Sequence, residues 1–275
     1  MIVDAHQHFW FYTPERDTWI TDEMAVIRRD FLPGDLEPVL KANGVEACVA
    51  VQADQSEAET LLLLKLAEAY DIVKGVVGWV DLRSETIYDR LEAFSQFEEL
   101  KGFRHVAQSE PDDFLTRPEF IRGVRQLAAF DFTYDILIYP NQLKAAWQLV
   151  QEVPEVKFVV DHCAKPVIRK KEITRWSNYI AEIAKNRNTY CKVSGLVTEA
   201  DWKGWNKEEI FPYLDVVFEH FGPDRLMFGS DWPVCLVAAE YEEVKGLLED
   251  YIQPWGEEVR QKVFGANAVD FYRLE

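Results

Sequence analysis

The sequence predicts a (β/α)₈ barrel of the TIM type. Short runs rich in β-branched and aromatic residues alternate with helical patterns along nearly the whole chain, which is typical of parallel strands joined by helices. Eight such units fall within 275 residues, and a closed barrel of this kind typically needs about 250 residues. No repeat, low-complexity tract or linker divides the chain, so we expect one domain over residues 1–275.

The predicted strands are short and largely apolar. Phe158-Val159-Val160 is a continuous apolar run, as expected for a strand that is covered on both faces. The eight strands are predicted at residues 2–8, 47–53, 75–80, 102–106, 133–139, 157–161, 190–193 and 226–229.

Apolar residues recur at a spacing of three to four between the strands, which predicts helices. Pro118 suits the first turn of one helix, and Gly222-Pro223 ends another. The helices are predicted at residues 56–70, 84–97, 117–129, 141–152, 173–186, 207–221, 239–251 and 257–272. Residues 11–33 are rich in aromatic and charged residues, and we expect them to form a loop insertion over the site.

The composition excludes some classes of partner. With 30 basic and 48 acidic residues the net charge is −18, which disfavours binding to nucleic acid or to an anionic membrane surface. We find no targeting peptide and no apolar run of the length that a membrane span needs. The four cysteines are scattered in apolar runs without a C-x-x-C pair, so we expect buried free thiols in a reducing compartment and a cytoplasmic protein.

Polar residues stand where the predicted strands end. In such barrels the active site is built at the carboxyl ends of the strands. His6 and His8 are two residues apart on the first strand, so their side chains project in the same direction. The other strand ends supply Gln52, Asp54, Trp79, Asp81, Arg104, His105, Tyr139, Asp161, His162, Lys192, Ser194, Ser230, Asp231 and Trp232.

Three imidazoles and a carboxylate from different strands are suitable ligands for one divalent metal ion, with zinc as the first candidate. The candidate ligands are His6, His8, His162 and Asp231. The alternative is catalysis without a metal, in which the same histidines and Arg104 polarise a carbonyl through charge-assisted hydrogen bonds. Sequence reasoning leaves both possibilities open.

Roles for individual residues follow from their positions. Asp231 is the candidate general base, aimed into the mouth of the barrel after the eighth strand; the alternative is that it caps the following turn. Arg104, its neighbour His105 and Lys192 are candidates for binding substrate oxygens. A cation on a barrel strand can instead pair with a nearby carboxylate such as Asp161.

Tryptophans near the strand ends suit an apolar wall for a sugar face. Trp10 and Trp232 are the candidates for direct contact with substrate, together with Trp79. The alternative is that these side chains simply pack in the core. His220 lies inside a helical pattern and is expected on the outer ring.

Five motifs resemble those of the amidohydrolase-related (amidohydrolase 2) family, in particular its sugar-lactonase branch of L-fucono-lactonase-like and L-rhamnono-lactonase-like enzymes. They are VDAHQH at 3–8, KGFRHV at 101–106, VDHCAKP at 160–166, CKVSGL at 191–196 and MFGSDWPV at 227–234. They keep the order of the family, and the resemblance runs from Met1 to the final helix.

The resemblance implies a distorted amidohydrolase barrel that hydrolyses an ester or lactone. In the family pattern His6, His8, His162 and Asp231 form the reaction centre, and the aspartate handles the proton of the attacking water. Two-metal relatives carry a bridging carboxylated lysine and a further histidine, whereas this chain has Arg104-His105 and Lys192. This departure indicates one metal ion or none.

The leading hypothesis is therefore a hydrolase that opens a sugar-derived lactone, such as L-fucono- or L-rhamnono-lactone, to the aldonate. A second hypothesis is a cyclic dicarboxylate hydrolase or a decarboxylase, whose substrates would require several arginines where the strand ends supply only Arg104. A third is a non-catalytic sugar-binding barrel. The expected partner is a small sugar lactone, and a homo-oligomer is compatible with the sequence.

Overall fold

Eight parallel strands form one sheet in sequence order in the computed structural model, which describes all 275 residues. The strands are short, and nearly every residue in them is buried, which accounts for their apolar character in the sequence. They are β1 (Val3–Gln7), β2 (Ala47–Val51), β3 (Val73–Gly78), β4 (Leu100–His105), β5 (Thr133–Ile136), β6 (Phe158–Val160), β7 (Thr189–Val193) and β8 (Leu226–Phe228).

The first and last strands meet, so that the sheet closes into a barrel. The His8 backbone N–H donates to the Trp232 carbonyl at 2.7 Å, and the Asp231 N–H donates to the His6 carbonyl at 2.8 Å. Both bonds involve residues at the carboxyl ends of β1 and β8. The predicted (β/α)₈ barrel is confirmed, and its closure places His6, His8 and Asp231 side by side.

Helices between the strands form the outer layer. Their bounds are α1 (Pro33–Ala42), α2 (Glu57–Ala69), α3 (Ile87–Phe94), α4 (Pro118–Gln126), α5 (Leu143–Glu152), α6 (Thr174–Ala184), α7 (Leu196–Glu199), α8 (Lys207–Phe221), α9 (Tyr241–Ile252), α10 (Glu257–Gln261) and α11 (Asn267–Tyr272). The predicted helix at 257–272 is divided by a π-helical segment at Lys262–Ala266. None of the helices combines the length and the apolar character that a membrane span requires.

The segment between β1 and α1 folds back over the barrel mouth. Trp10 and Phe31 pair across it as an antiparallel bridge, and a 3₁₀ helix covers Asp22–Ile27. We call residues 11–32 the lid segment. Its side chains reach the central cavity, as expected for an insertion over the site.

The core has two parts. The larger apolar cluster contains 73 buried residues, and a second cluster of 12 joins strand residues such as Val3 and Ala47 to Tyr272 and Leu274 near the end of the chain. All four cysteines are buried and free, as predicted.

Candidate active site

A cavity of about 490 Å³ opens at the carboxyl ends of the strands. Loops after seven of the strands and the lid segment contribute to its wall. Six of the strand-end residues singled out from the sequence line it, namely His8, Asp54, Arg104, Tyr139, His162 and Asp231. Such a cavity, with a few convergent polar groups, is the usual form of a small-molecule site.

Three imidazole nitrogens surround one carboxylate oxygen in this cavity. Asp231 Oδ1 lies 3.3 Å from His8 Nε2, 3.8 Å from His6 Nε2 and 3.9 Å from His162 Nε2. The Nε2 atoms of His6 and His8 are 3.2 Å apart. The structure therefore brings together all four residues that the sequence suggested as a reaction centre, although they lie in or shortly after three different strands, β1, β6 and β8.

The other ring nitrogen of each histidine is held by the barrel. His8 Nδ1 donates to the Val51 carbonyl at 2.7 Å, so that Nε2 is the nitrogen turned towards Asp231. His162 Nδ1 lies 2.9 Å from Ser194 Oγ. These contacts fix the ring orientations, as outer partners of functional histidines commonly do.

His6 is surrounded by charged groups at the bottom of the cluster. Its Nδ1 lies 3.1 Å from Lys192 Nζ and 3.3 Å from Asp161 Oδ1. Arg104 Nη1, which can only donate, faces Nε2 at 3.3 Å. Asp161 Oδ1 is the only acceptor among these neighbours, so we assign the ring proton to Nδ1, and Nε2 then accepts from Arg104.

Burial determines the charge of these groups. It holds the pKa of His6 and of His162 well below the ordinary value, so that both rings are neutral at neutral pH. Burial alone would raise the pKa of Asp231, but its electrostatic interactions with the nearby His162 and His8 rings and with the Lys165 ammonium outweigh burial, and the pKa is lowered. Two neutral imidazoles, those of His6 and His162, thus lie beside an ionised carboxylate.

The donor set fits one metal ion. Zinc–nitrogen bonds of about 2.0–2.1 Å in a tetrahedral arrangement separate the ligand atoms by about 3.3 Å. The spacing of His6 Nε2, His8 Nε2 and Asp231 Oδ1, between 3.2 and 3.8 Å, is close to that value.

Arg104 supplies a positive charge at the same place. Its side chain is 4% exposed, and it donates to Asp161 Oδ2 at 3.1 Å and to the backbone and side-chain oxygens of Gln52. It lines the cavity and also contacts His6. This guanidinium is the feature that supports the alternative in which the cluster polarises a carbonyl without a metal.

The backbone is left-handed where two of these residues follow their strands. Residues His162, Cys163, Ala164 and Lys165 have φ of 52°, 51°, 57° and 47°, and Asp231 has 59°. Such a conformation costs roughly 1–2 kcal/mol for each non-glycine residue. The Lys165 N–H bond to the His162 carbonyl, at 2.8 Å, closes the turn. Strain of this kind is concentrated at functional sites.

Lys192 lies below the cavity and not on its wall. Its side chain is completely buried, with Nζ 2.5 Å from Asp135 Oδ2 and 3.1 Å from Asp161 Oδ1. Lys192 thus forms an ion pair with Asp161 and does not contact the cavity, which is the alternative that the sequence left open for this residue. Because its ammonium is enclosed, it can influence the site only through its neighbours.

Three other candidates for substrate contact also lie away from the cavity wall. His105 is 3% exposed and bonds Trp79 Nε1 at 3.2 Å and Glu110 Oε1 at 3.1 Å. Trp10 and Trp232 are 2% and 3% exposed and pack around Phe31. Both tryptophans pack against the lid segment. They therefore do not form the sugar-binding wall that was expected of them.

Other residues occupy the wall instead. Trp19 of the lid segment and Trp202 are the tryptophans that line the cavity, together with Lys165 and Glu199. Lys165 belongs to the VDHCAKP motif, so the sequence contained a signal that this residue lies near the site. Nothing in the sequence around Glu199 or Trp202 indicated that the loop after β7 turns towards the mouth.

The chain is similar to known proteins along its whole length. The family model described as amidohydrolase matches residues 3–274. Identity to the L-fucono-1,5-lactonase of Burkholderia multivorans is 38%, covering 99% of this chain and 96% of that protein. Identity to the L-fucono-1,5-lactonase of Burkholderia ambifaria is 34%, again covering 99% and 96%. A crystal structure of an amidohydrolase from Burkholderia multivorans with bound zinc has a TM-score of 0.97 at 38% identity, with both chains fully covered.

Proposed function

Because the chain belongs to the amidohydrolase family, we propose that it is a hydrolase that opens a sugar-derived lactone, such as L-fucono- or L-rhamnono-lactone, to the aldonate. The observation that carries the proposal is the convergence of three imidazoles on the ionised Asp231 at the cavity. The names of the relatives at 38% and 34% identity support a six-membered L-fucono-lactone as the first substrate to test.

Asp231 is the general base in this proposal. Its carboxylate is ionised, open to the cavity and held beside the imidazoles, so it can accept a proton from a water molecule that attacks the lactone carbonyl. The same carboxyl group then returns the proton to the leaving alkoxide as the ring opens. Arg104 lies on the cavity wall close to the cluster, where its positive charge can stabilise the oxyanion that develops.

The remaining sequence candidates act indirectly in this proposal. Lys192 and Asp161 orient His6 from below. Trp10 and Trp232 support the lid segment, and His105 supports the cavity wall from behind.

His6, His8, His162 and Asp231 would hold one divalent metal ion, for which zinc is the first candidate. When bound, such an ion would polarise the lactone carbonyl as a Lewis acid. A zinc ion in the crystal structure of the related amidohydrolase supports this choice. Arg104 supports the alternative that the ion is not required for turnover.

The test of the activity is acid release from a panel of five- and six-membered sugar lactones in weak buffer, with spontaneous opening subtracted. The same measurement is made after chelation and after return of single divalent ions. Turnover that is lost on chelation and restored by one ion establishes metal-dependent hydrolysis. Turnover that survives chelation assigns catalysis to the cluster of histidines, Arg104 and Asp231. Binding of a lactone without turnover would favour the non-catalytic sugar-binding barrel.

The cavity charges disfavour a dicarboxylate substrate. Arg16 reaches the cavity but its charge is paired with Asp17, whose carboxylate oxygen is 2.8 Å away. Asp54 and Asp231 add negative charge to the wall, and the charge of Glu199 is balanced by Lys165. An additional substrate carboxylate would meet repulsion there, whereas a neutral sugar lactone would not. We further propose that the enzyme acts in the cytoplasm, in keeping with its four free cysteines.

A further inference from the structure

Two charged side chains on the cavity wall have no part in the proposed hydrolytic step. Lys165 Nζ lies 3.7 Å from Glu199 Oε1, and the side chains are 17% and 21% exposed. Both line the cavity. Their separation is too long for a direct hydrogen bond, so the ammonium and the carboxylate keep their hydrogen-bonding capacity for a ligand although most of their surface is already removed from water.

The fold holds this pair beside the reaction centre. Lys165 ends the left-handed turn that begins at His162, so one strained turn positions both side chains. The Lys165 ammonium lies 5.4 Å from the centre of the Tyr139 ring. This cation–π contact stabilises the ammonium in its position on the cavity wall. Glu199 is the last residue of α7, directly after β7. Three neighbouring strand ends thus form one side of the mouth.

We propose that Lys165 and Glu199 form a subsite that binds neighbouring hydroxyl groups on the lactone ring. An ammonium only donates hydrogen bonds and a carboxylate only accepts them, whereas a hydroxyl does both. Two adjacent hydroxyls can therefore accept from Lys165 and donate to Glu199 at the same time. This inference rests on the proposed lactonase function and names the part of the substrate that the site recognises.

The charges of the subsite also select against other ligands. The pair is neutral as a whole, so it suits an uncharged polyol; a ligand carboxylate could bond Lys165 but would leave Glu199 without a donor. A lactone without ring hydroxyls would cover both charged groups and satisfy neither. Sites built to bind a hydroxyl discriminate strongly against analogues that lack it, because the buried polar groups are then left unpaired.

The experiment compares kcat/KM for L-fucono-1,5-lactone with that for δ-valerolactone, which has the same ring size and no hydroxyls. The variants are Lys165→Met and Glu199→Gln. We expect each to reduce kcat/KM for the hydroxylated lactone roughly tenfold more than for δ-valerolactone, mainly through KM. Equal losses on both lactones, or no loss on either, would overturn the inference.

The matched controls are Lys171→Met and Glu209→Gln. These residues form a 3.1 Å ion pair away from the cavity, and the Lys171 side chain is 74% exposed. Both controls should keep the wild-type ratio of the two kcat/KM values. Thermal unfolding of every variant separates a local effect from loss of fold.

Calorimetric binding of L-fucose supplies a second readout that does not require turnover. L-fucose carries ring hydroxyls like those of the lactone, and its Kd should rise roughly tenfold in Lys165→Met and Glu199→Gln but not in the controls. A wild-type protein that hydrolyses neither lactone contradicts the proposed function. Binding of L-fucose that is equal in wild type and variants contradicts the subsite.

Discussion

Gly195 shows how closely a single residue limits the geometry of the site. It follows β7 with φ of 63°, and a Cβ atom placed on it would lie 2.6 Å from His162 Nδ1. Any larger residue must therefore move the His162 ring and adopt an unfavourable backbone conformation. The position of this imidazole relative to Asp231 depends on the absence of one methyl group.

Gly195→Ala should accordingly reduce kcat by at least about tenfold, because small displacements of positioned groups are costly. It should also lower stability by roughly 1 kcal/mol. Steady-state kinetics on a hydrolysed lactone and thermal unfolding measure the two effects. The control is Gly204→Ala, where the nearest atom to an added Cβ is 3.5 Å away. Wild-type kcat in Gly195→Ala would show that His162 tolerates the displacement.

At the scale of elements, the connection from β2 to α2 depends on a buried glutamate. Glu59, in the first turn of α2, is 5% exposed and accepts hydrogen bonds from the N–H groups of Ala53 and Asp54 at 2.9 and 2.7 Å. Burial raises its pKa from an ordinary 4.5 to about 7, although these two bonds lower it. The loop that it holds carries residues of the cavity wall.

The raised pKa predicts a pH-dependent stability. The folded protein holds the Glu59 proton more tightly than the unfolded chain does, so this contribution is complete below about pH 4.5 and is lost as the pH rises through about 7. Glu59→Gln keeps an acceptor oxygen without the charge. Its stability relative to wild type should rise by roughly 1–3 kcal/mol between pH 4.5 and 8.

Chemical denaturation at a series of pH values measures this difference. Glu68→Gln, at an exposed position on the same helix, is the matched control and should give a difference that hardly changes with pH. A constant difference between Glu59→Gln and wild type would show that the carboxyl group is ionised throughout this range.

At the scale of the whole molecule, the interior of the barrel combines apolar packing with a buried charge network. Lys192 contacts Asp135, Asp161 and His6, and the Tyr272 hydroxyl donates to Asp135 at 2.7 Å. The network joins β1, β5 and β7 to α11 near the end of the chain. It links the stability of the barrel to the orientation of His6.

Lys192→Met should therefore destabilise the protein by about 3–5 kcal/mol, because it leaves two buried carboxylates without this partner. Lys207→Met is the control, since Lys207 pairs with Asp250 at the surface, where the two side chains are 49% and 59% exposed. The control should cost no more than about 1 kcal/mol. Equal unfolding free energies for the two variants would contradict the importance of the buried network.

The barrel could be predicted from the sequence because alternating strand and helix patterns depend on local periodicity and length. The convergence of His6, His8, His162 and Asp231 could be predicted because parallel strands bring their carboxyl ends together, whatever their separation in the chain. Depth within the barrel could not be predicted: Arg104 and Lys192 both stand on strands, yet only Arg104 reaches the cavity. Depth depends on how the strands are staggered, and a single sequence does not reveal that.

Loop conformation was also beyond sequence reasoning. Trp10 and Trp19 both lie in an aromatic-rich stretch after β1, and the sequence does not distinguish them. The lid segment nevertheless buries Trp10 and exposes Trp19 to the cavity. Glu199 reaches the wall because α7 is a single short turn. Both outcomes depend on tertiary packing of irregular segments and not on periodicity.

The most direct test of the central claim is the rate of L-fucono-1,5-lactone hydrolysis by wild type and by Asp231→Asn, with spontaneous opening subtracted. Asparagine preserves the shape of the side chain but cannot accept the proton. We expect the wild-type protein to hydrolyse the lactone and the variant to lose a factor of about 10²–10⁴ in kcat, with unchanged thermal unfolding. An Asp231→Asn protein that retains wild-type kcat would contradict the role of Asp231 as the general base.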